Sequence, residues 1–91
     1  MYKVLYSDKI LVHLNGAYAA HPVEVETALM QLEENPMAHA ISTGLPAIGC
    51  YYIPAVQYAI VFNIDKVNET IEIVSIRKLG YMQNLVSKRY R

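Results

Sequence analysis

The stretch from Ala47 to Lys78 constrains the fold more than any other part of the chain. It reads AIGCYYIPAVQYAIVFNIDKVNETIEIVSIRK, three runs rich in β-branched and aromatic residues separated by two turn signals. Ala47 to Ile53 is predicted as one strand, and Pro54-Ala55 as its turn. Val56 to Ile64 is predicted as the next. Its even positions Tyr58, Ile60, Phe62 and Ile64 make one large apolar face, and its odd positions make a lighter one. Asp65 to Glu69 reads as a second turn, and Thr70 to Ile76 as a strand with Glu72 on one side and Ile71 and Ile73 on the other. Turns this short join antiparallel neighbours, so the stretch is a three-strand meander.

The upstream residues supply what covers this sheet. Tyr2 to Tyr6 alternates and reads as a strand, broken by Ser7-Asp8. Lys9 to Leu14 fits either a returning hairpin strand or a short helix capped by Ser7 or Asp8. Asn15-Gly16 is expected to end it in both cases. His21-Pro22 opens the clearest helix, because proline at the first helical position loses no hydrogen bond. Val25, Ala28, Leu29 and Leu32 recur on one helical face, and Asn35-Pro36 stops the helix. Met37 to Pro46 reads as a connecting loop. The expected architecture is a single α+β domain over residues 1–91, in two layers. A twisted antiparallel sheet of about four strands packs on one or two helices from the N-terminal half.

A chain of 91 residues buries only about 60–65% of its unfolded surface. Its apolar content of 54% is high for that size, which implies either a generous core or apolar surface meant for a protein partner or a homodimer. No run is long and apolar enough to span a membrane, and the first residues are too short in apolar character for a signal peptide, so the expected compartment is the cytoplasm. The single cysteine, Cys50, fits a reduced setting and reads as a small strand residue rather than a nucleophile. His13, His21 and His39 are scattered and form no ligand motif, so neither a metal nor a cofactor is expected.

Charge is balanced overall but unevenly placed. Residues 1–45 hold two lysines against five acids, a balance of −3, and residues 46–91 hold six cations against three acids, a balance of +3. From Arg77 onward there are five cations and no acid. Eight tyrosines accompany them, with Tyr51, Tyr52 and Tyr58 in the strands and Tyr81 and Tyr90 beside the basic tail. Aromatic rings next to Arg and Lys can stack RNA bases while the cations hold phosphate. The same residues also suit a sheet packed by tyrosine rings and a solubilising tail.

The leading strand YKVLYS, the helix ending in LEENP, the run CYYIPAVQYAIVFNID and the basic-ended strand TIEIVSIRK together resemble the RelE/ParE superfamily of toxins from bacterial toxin–antitoxin pairs. The resemblance spans roughly residues 2–82 and favours a helix for residues 8–14, since the family places helices after its first strand. It implies a cognate antitoxin protein as partner. For RelE-like members it further implies cleavage of mRNA on the ribosome, and for ParE-like members binding of DNA gyrase without nuclease activity. By the same resemblance the catalytic candidates are Arg77 and Lys78 at the end of the last strand and Tyr81 after it. The candidates for RNA or partner binding are Tyr52, Lys88, Arg89, Tyr90 and Arg91. Two positions depart from the family pattern. Ala59 stands in Tyr58-Ala59-Ile60 where an arginine is usual, and Tyr52 follows Tyr51 where a basic residue is frequent, departures that equally fit a ParE-like gyrase-binding member or a catalytically degenerate protein-interaction module of the same fold.

Overall fold

The computed structural model describes residues 1–79. The elements run β1 (Lys3–Leu5), α1 (Asp8–Ala20), α2 (Pro22–Glu34), a 3₁₀ turn (Pro36–His39), β2 (Ala40–Ser42), β3 (Ala47–Ile53), β4 (Tyr58–Asp65) and β5 (Thr70–Lys78). They form an α+β two-layer fold with both helices on one face of a five-stranded sheet, in the order β1-β5-β4-β3-β2. Among the described residues no helix is long and apolar enough to cross a membrane.

The meander β3-β4-β5 is antiparallel, as its short turns require. The sheet as a whole is mixed, not purely antiparallel, because β1 pairs parallel with β5. Strand one lies beside strand five because the chain between them crosses over through both helices. The backbone N–H of Tyr2 donates to the Glu33 carbonyl at 2.8 Å and that of Lys3 to the Glu69 carbonyl at 2.9 Å, which seats the first strand between helix α2 and the last turn.

Three further expectations are corrected. The sheet has five strands rather than about four, because Ala40–Ser42 adds an edge strand inside the stretch expected to be loop. Helix α1 does not stop at Asn15-Gly16 but runs on to Ala20. The Ser7 side chain caps it, accepting from the Ile10 N–H at 3.2 Å, and Leu14 and Ala17 are buried against Val25 of α2. That packing outweighs the helix-breaking tendency of the Asn-Gly pair, which costs about 1 kcal/mol at the glycine. Strand β4 begins at Tyr58 rather than Val56, since Gln57 takes a left-handed φ of 60° in the turn.

The core lies between sheet and helices. Phe62, Ile60, Ile71, Ile73, Leu32 and Val25 are fully buried, each contributing about 1.5–3 kcal/mol by leaving water. On β4 the predicted even face is the buried one, against α2. On β5 the alternation is interrupted. Val61 pairs with Ser75 and Phe62 with Ile73, so Val74 is an extra residue, a β-bulge. Before the bulge the odd residues Ile71 and Ile73 face the helices; after it the even residue Ile76 does.

Candidate nucleic-acid interface

The face of the sheet away from the helices holds the candidate site. Alternation along β3 turns Ala47, Gly49, Tyr51 and Ile53 inward and Ile48, Cys50 and Tyr52 outward. The register then builds cross-strand rows on the outer side. Tyr52, Ala59 and Arg77 share one row, Cys50, Val61 and Ser75 the next, and Ile48, Asn63 and Glu72 the third. Tyr52 is 42% exposed, whereas Ala59 between Tyr52 and Arg77 is only 6% exposed. With strands spaced ~4.8 Å apart, Tyr52 and Arg77 stand about 10 Å apart across the small floor that Ala59 provides.

The chemistry of this row is that of a binding surface. An exposed arginine fork suits a phosphate through paired N–H donors. An exposed tyrosine ring offers a stacking plane for a base. The row carries no carboxylate or imidazole to move a proton. Its charge is also local: Glu72 lies two rows away on the same face, and Asp65 ends β4 beyond it.

The structure separates residues that are adjacent in sequence. Arg77 pairs with Ala59 on the outer side, and Lys78 pairs with Tyr58 on the helix side. The neighbour of Tyr58 there is His21, the single residue between α1 and α2, with ring centroids 5.9 Å apart in an edge-to-face arrangement. The strand tyrosines divide in the same way. Tyr51 faces inward with its ring 4.5 Å from that of His39, Tyr58 also faces inward, and Tyr52 alone of the three faces out. Tyr81, Lys88, Arg89, Tyr90 and Arg91 lie outside the described residues.

The outer-face positions that sequence reasoning missed are Cys50, Val61 and Ser75, which continue the floor beyond Ala59. Alternation of β3 and β4 places the first two, but Ser75 owes its place to the bulge, which has no clear mark in the sequence. Cys50 is a half-buried free thiol. Among the described residues no three His, Cys, Asp or Glu side chains converge as a metal site would require.

The far end of the same face is closed by the β4–β5 turn. Asp65 accepts hydrogen bonds from the backbone N–H of Asn68 at 3.0 Å, from its side-chain Nδ2 at 2.7 Å and from the Val67 N–H at 3.1 Å. These donors, the Asn68 backbone first, hold the Asp65 carboxyl below its ordinary value. Beside this turn Leu5, Leu45, Pro46, Val67, Glu72 and Asp65 border a groove of about 490 Å³.

Comparison with protein-family models, with curated proteins and with solved structures found no match to this chain.

Proposed function

We propose that the protein is a RelE/ParE-like toxin of a toxin–antitoxin pair, acting in the cytoplasm as an RNA-directed, metal-independent endoribonuclease that an antitoxin holds inactive. The observation that carries this reading is the row Tyr52–Ala59–Arg77, with Tyr52 and Arg77 exposed on either side of the buried Ala59, on the outer face of the sheet where the last strand ends. The element order, with two helices after the first strand and a basic-ended last strand, supports the same reading.

In this scheme Arg77 grips the scissile phosphate and Tyr52 stacks a neighbouring base. The 2′-hydroxyl gives its proton to solvent water and its oxygen attacks phosphorus as the bond to the 5′ oxygen breaks; the leaving 5′ oxygen takes a proton from water, which gives a 2′,3′-cyclic phosphate and a 5′-hydroxyl. Arg77 neutralises the charge that builds on the phosphoryl oxygens. Tyr81 and the cations Lys88, Arg89 and Arg91 follow Arg77 in sequence and supply further contacts to RNA.

Ala59 favours a second reading. It places a methyl group where a catalytic surface would gain from a second cation, and a flat row of tyrosine, alanine and arginine equally suits a protein surface such as that of DNA gyrase. Induced expression in a bacterial host separates the two. Growth arrest with ribosome-dependent mRNA cleavage, lost in Arg77→Ala, is the expected result. Arrest with intact transcripts and damaged DNA would favour gyrase, and unimpaired growth would overturn the toxin reading altogether.

A further inference from the structure

Both helices lie on one face of the sheet, and among the described residues no element lies on the other. That outer face is apolar through its middle, where Val61 and Cys50 stand, with Val74 exposed at 41% beside them. Two opposite charges flank this middle on one strand. Arg77 and Glu72 both project outward from β5, and both are exposed. Their β4 partners Ala59 and Asn63 lie two residues to either side of Val61. At ~3.4 Å per residue, each charge stands about 7 Å from the middle row. On β3 the same two rows end in Tyr52 and Ile48. The face therefore holds a cation and an aromatic ring at one distance from the middle, and an anion and an aliphatic side chain at the same distance on the other side.

We infer that this face is the interface of a homodimer, covered by a second copy about a two-fold axis that runs along the row Cys50–Val61–Ser75. The axis lies between the two sheets and crosses the strands, so each strand lies over its own counterpart with the direction reversed. The row Tyr52–Ala59–Arg77 then faces the row of Ile48, Asn63 and Glu72 in the other copy, and symmetry repeats the match at the other end. Arg77 meets Glu72 of the partner subunit, and Tyr52 meets Ile48 of the partner subunit. Small Ala59 leaves room for the amide of Asn63 opposite it. Stacked sheets stand ~10 Å apart, a gap that an arginine and a glutamate side chain together can span.

The charge pattern selects both the occupant and its orientation. With strands of the two copies running the same way, Arg77 would lie over Tyr52 and Glu72 over Ile48, which leaves the carboxylate unpaired on an apolar side chain. The second sheet also supplies the layer that this side of the fold lacks, in a chain with 54% apolar residues. The pairing does not rest on RNA being a ligand of the Tyr52–Ala59–Arg77 row. Any ligand of that row and the second copy exclude one another.

Sedimentation equilibrium on the full-length chain tests this. At ~100 μM the parent chain is expected to be mostly dimer. Arg77→Glu and Glu72→Arg each set like charges opposite one another twice per dimer, and each is expected to weaken association at least ~10-fold. An equimolar mixture of the two single variants restores opposite charges at both ends and is expected to associate within about 3-fold of the parent. A monomeric parent would overturn the inference. So would single variants that dimerise as tightly as the parent, or a mixture that stays apart. Should either variant fail to fold by circular dichroism, Cys50 decides, because it lies on the axis row opposite its own copy. A bismaleimide with a spacer of about 8 Å is expected to join two parent chains through this one thiol, consistent with the ~10 Å sheet spacing. Failure to join them at ~100 μM would overturn the inference.

Discussion

Gly49 on β3 faces Phe62 on β4, and the aromatic ring fills the volume that a side chain at position 49 would need. A Cβ there would collide with the ring and lie 3.1 Å from the His39 carbonyl oxygen. Phe62 is the largest of the fully buried side chains, so the glycine is what lets the core's bulkiest ring lie flat on the strand beside it.

Gly49→Ala is therefore expected to destabilise the fold by about 1–3 kcal/mol, the usual cost of overpacking a core. The ring causes the cost, so Phe62→Leu should relieve part of it. Urea denaturation of the two single variants and the double variant measures this. The double variant should lose less stability than the sum of the singles, and strict additivity would contradict the contact.

Gly16 presents the opposite case. It lies within α1, and a Cβ at that position meets nothing within 4 Å. Gly16→Ala should raise stability by about 0.5–1 kcal/mol through helix propensity and a less flexible unfolded chain. The midpoint of thermal unfolding should rise accordingly. A fall would mean that α1 does not continue through this residue.

Asp65 sets an acid dependence. Its carboxyl is held below the ordinary value of 3.8 by the Asn68 and Val67 donors. The contribution is thus fully present above about 3.8 and is lost as pH falls from there through the folded-state value. Wild type and Asp65→Ala should differ in stability at neutral pH and converge in strong acid. Proton titration followed by NMR at the Asp65 carboxyl checks the direction independently.

Arg77 and Lys78 provide the functional contrast. They adjoin in sequence but occupy opposite sides of β5. If the outer row binds RNA, Arg77→Ala should slow cleavage by roughly 10²–10³-fold, the cost of removing one charge-stabilising donor. Lys78→Ala should change it by no more than about 2-fold, the order of a screened surface charge. Equal losses would place the active surface at the strand's end rather than on its outer face.

The legible parts of the fold were those with local punctuation. Ala47–Ile53 lies between Leu45-Pro46 and Pro54-Ala55, and its bounds follow from those signals. Pro22 and Asn35-Pro36 bracket α2 in the same way. The unread parts depend on distant partners. Ala40–Ser42 is too short to show a period and becomes a strand only because Gly49 and Ile48 lie beside it. Helix α1 passes Gly16 because Leu14 and Ala17 find Val25. The outer row was half visible: Tyr52 and Arg77 were both candidates, but nothing local says that they share a face.

That last point rests on a single residue. Because Val74 is extra, β5 changes parity halfway along. With strict alternation from Ile71, Arg77 would point into the helix layer and Lys78 would stand beside Tyr52's row. One inserted residue thus selects which of two neighbouring cations the protein shows to the outside. Pairing Val74 within the ladder would exchange an arginine fork for a lysine point charge, whereas deleting it would leave Ser75 opposite Val61 and Arg77 opposite Ala59, so in this strand the choice between the two chemistries is made by whether one residue stands out of the ladder.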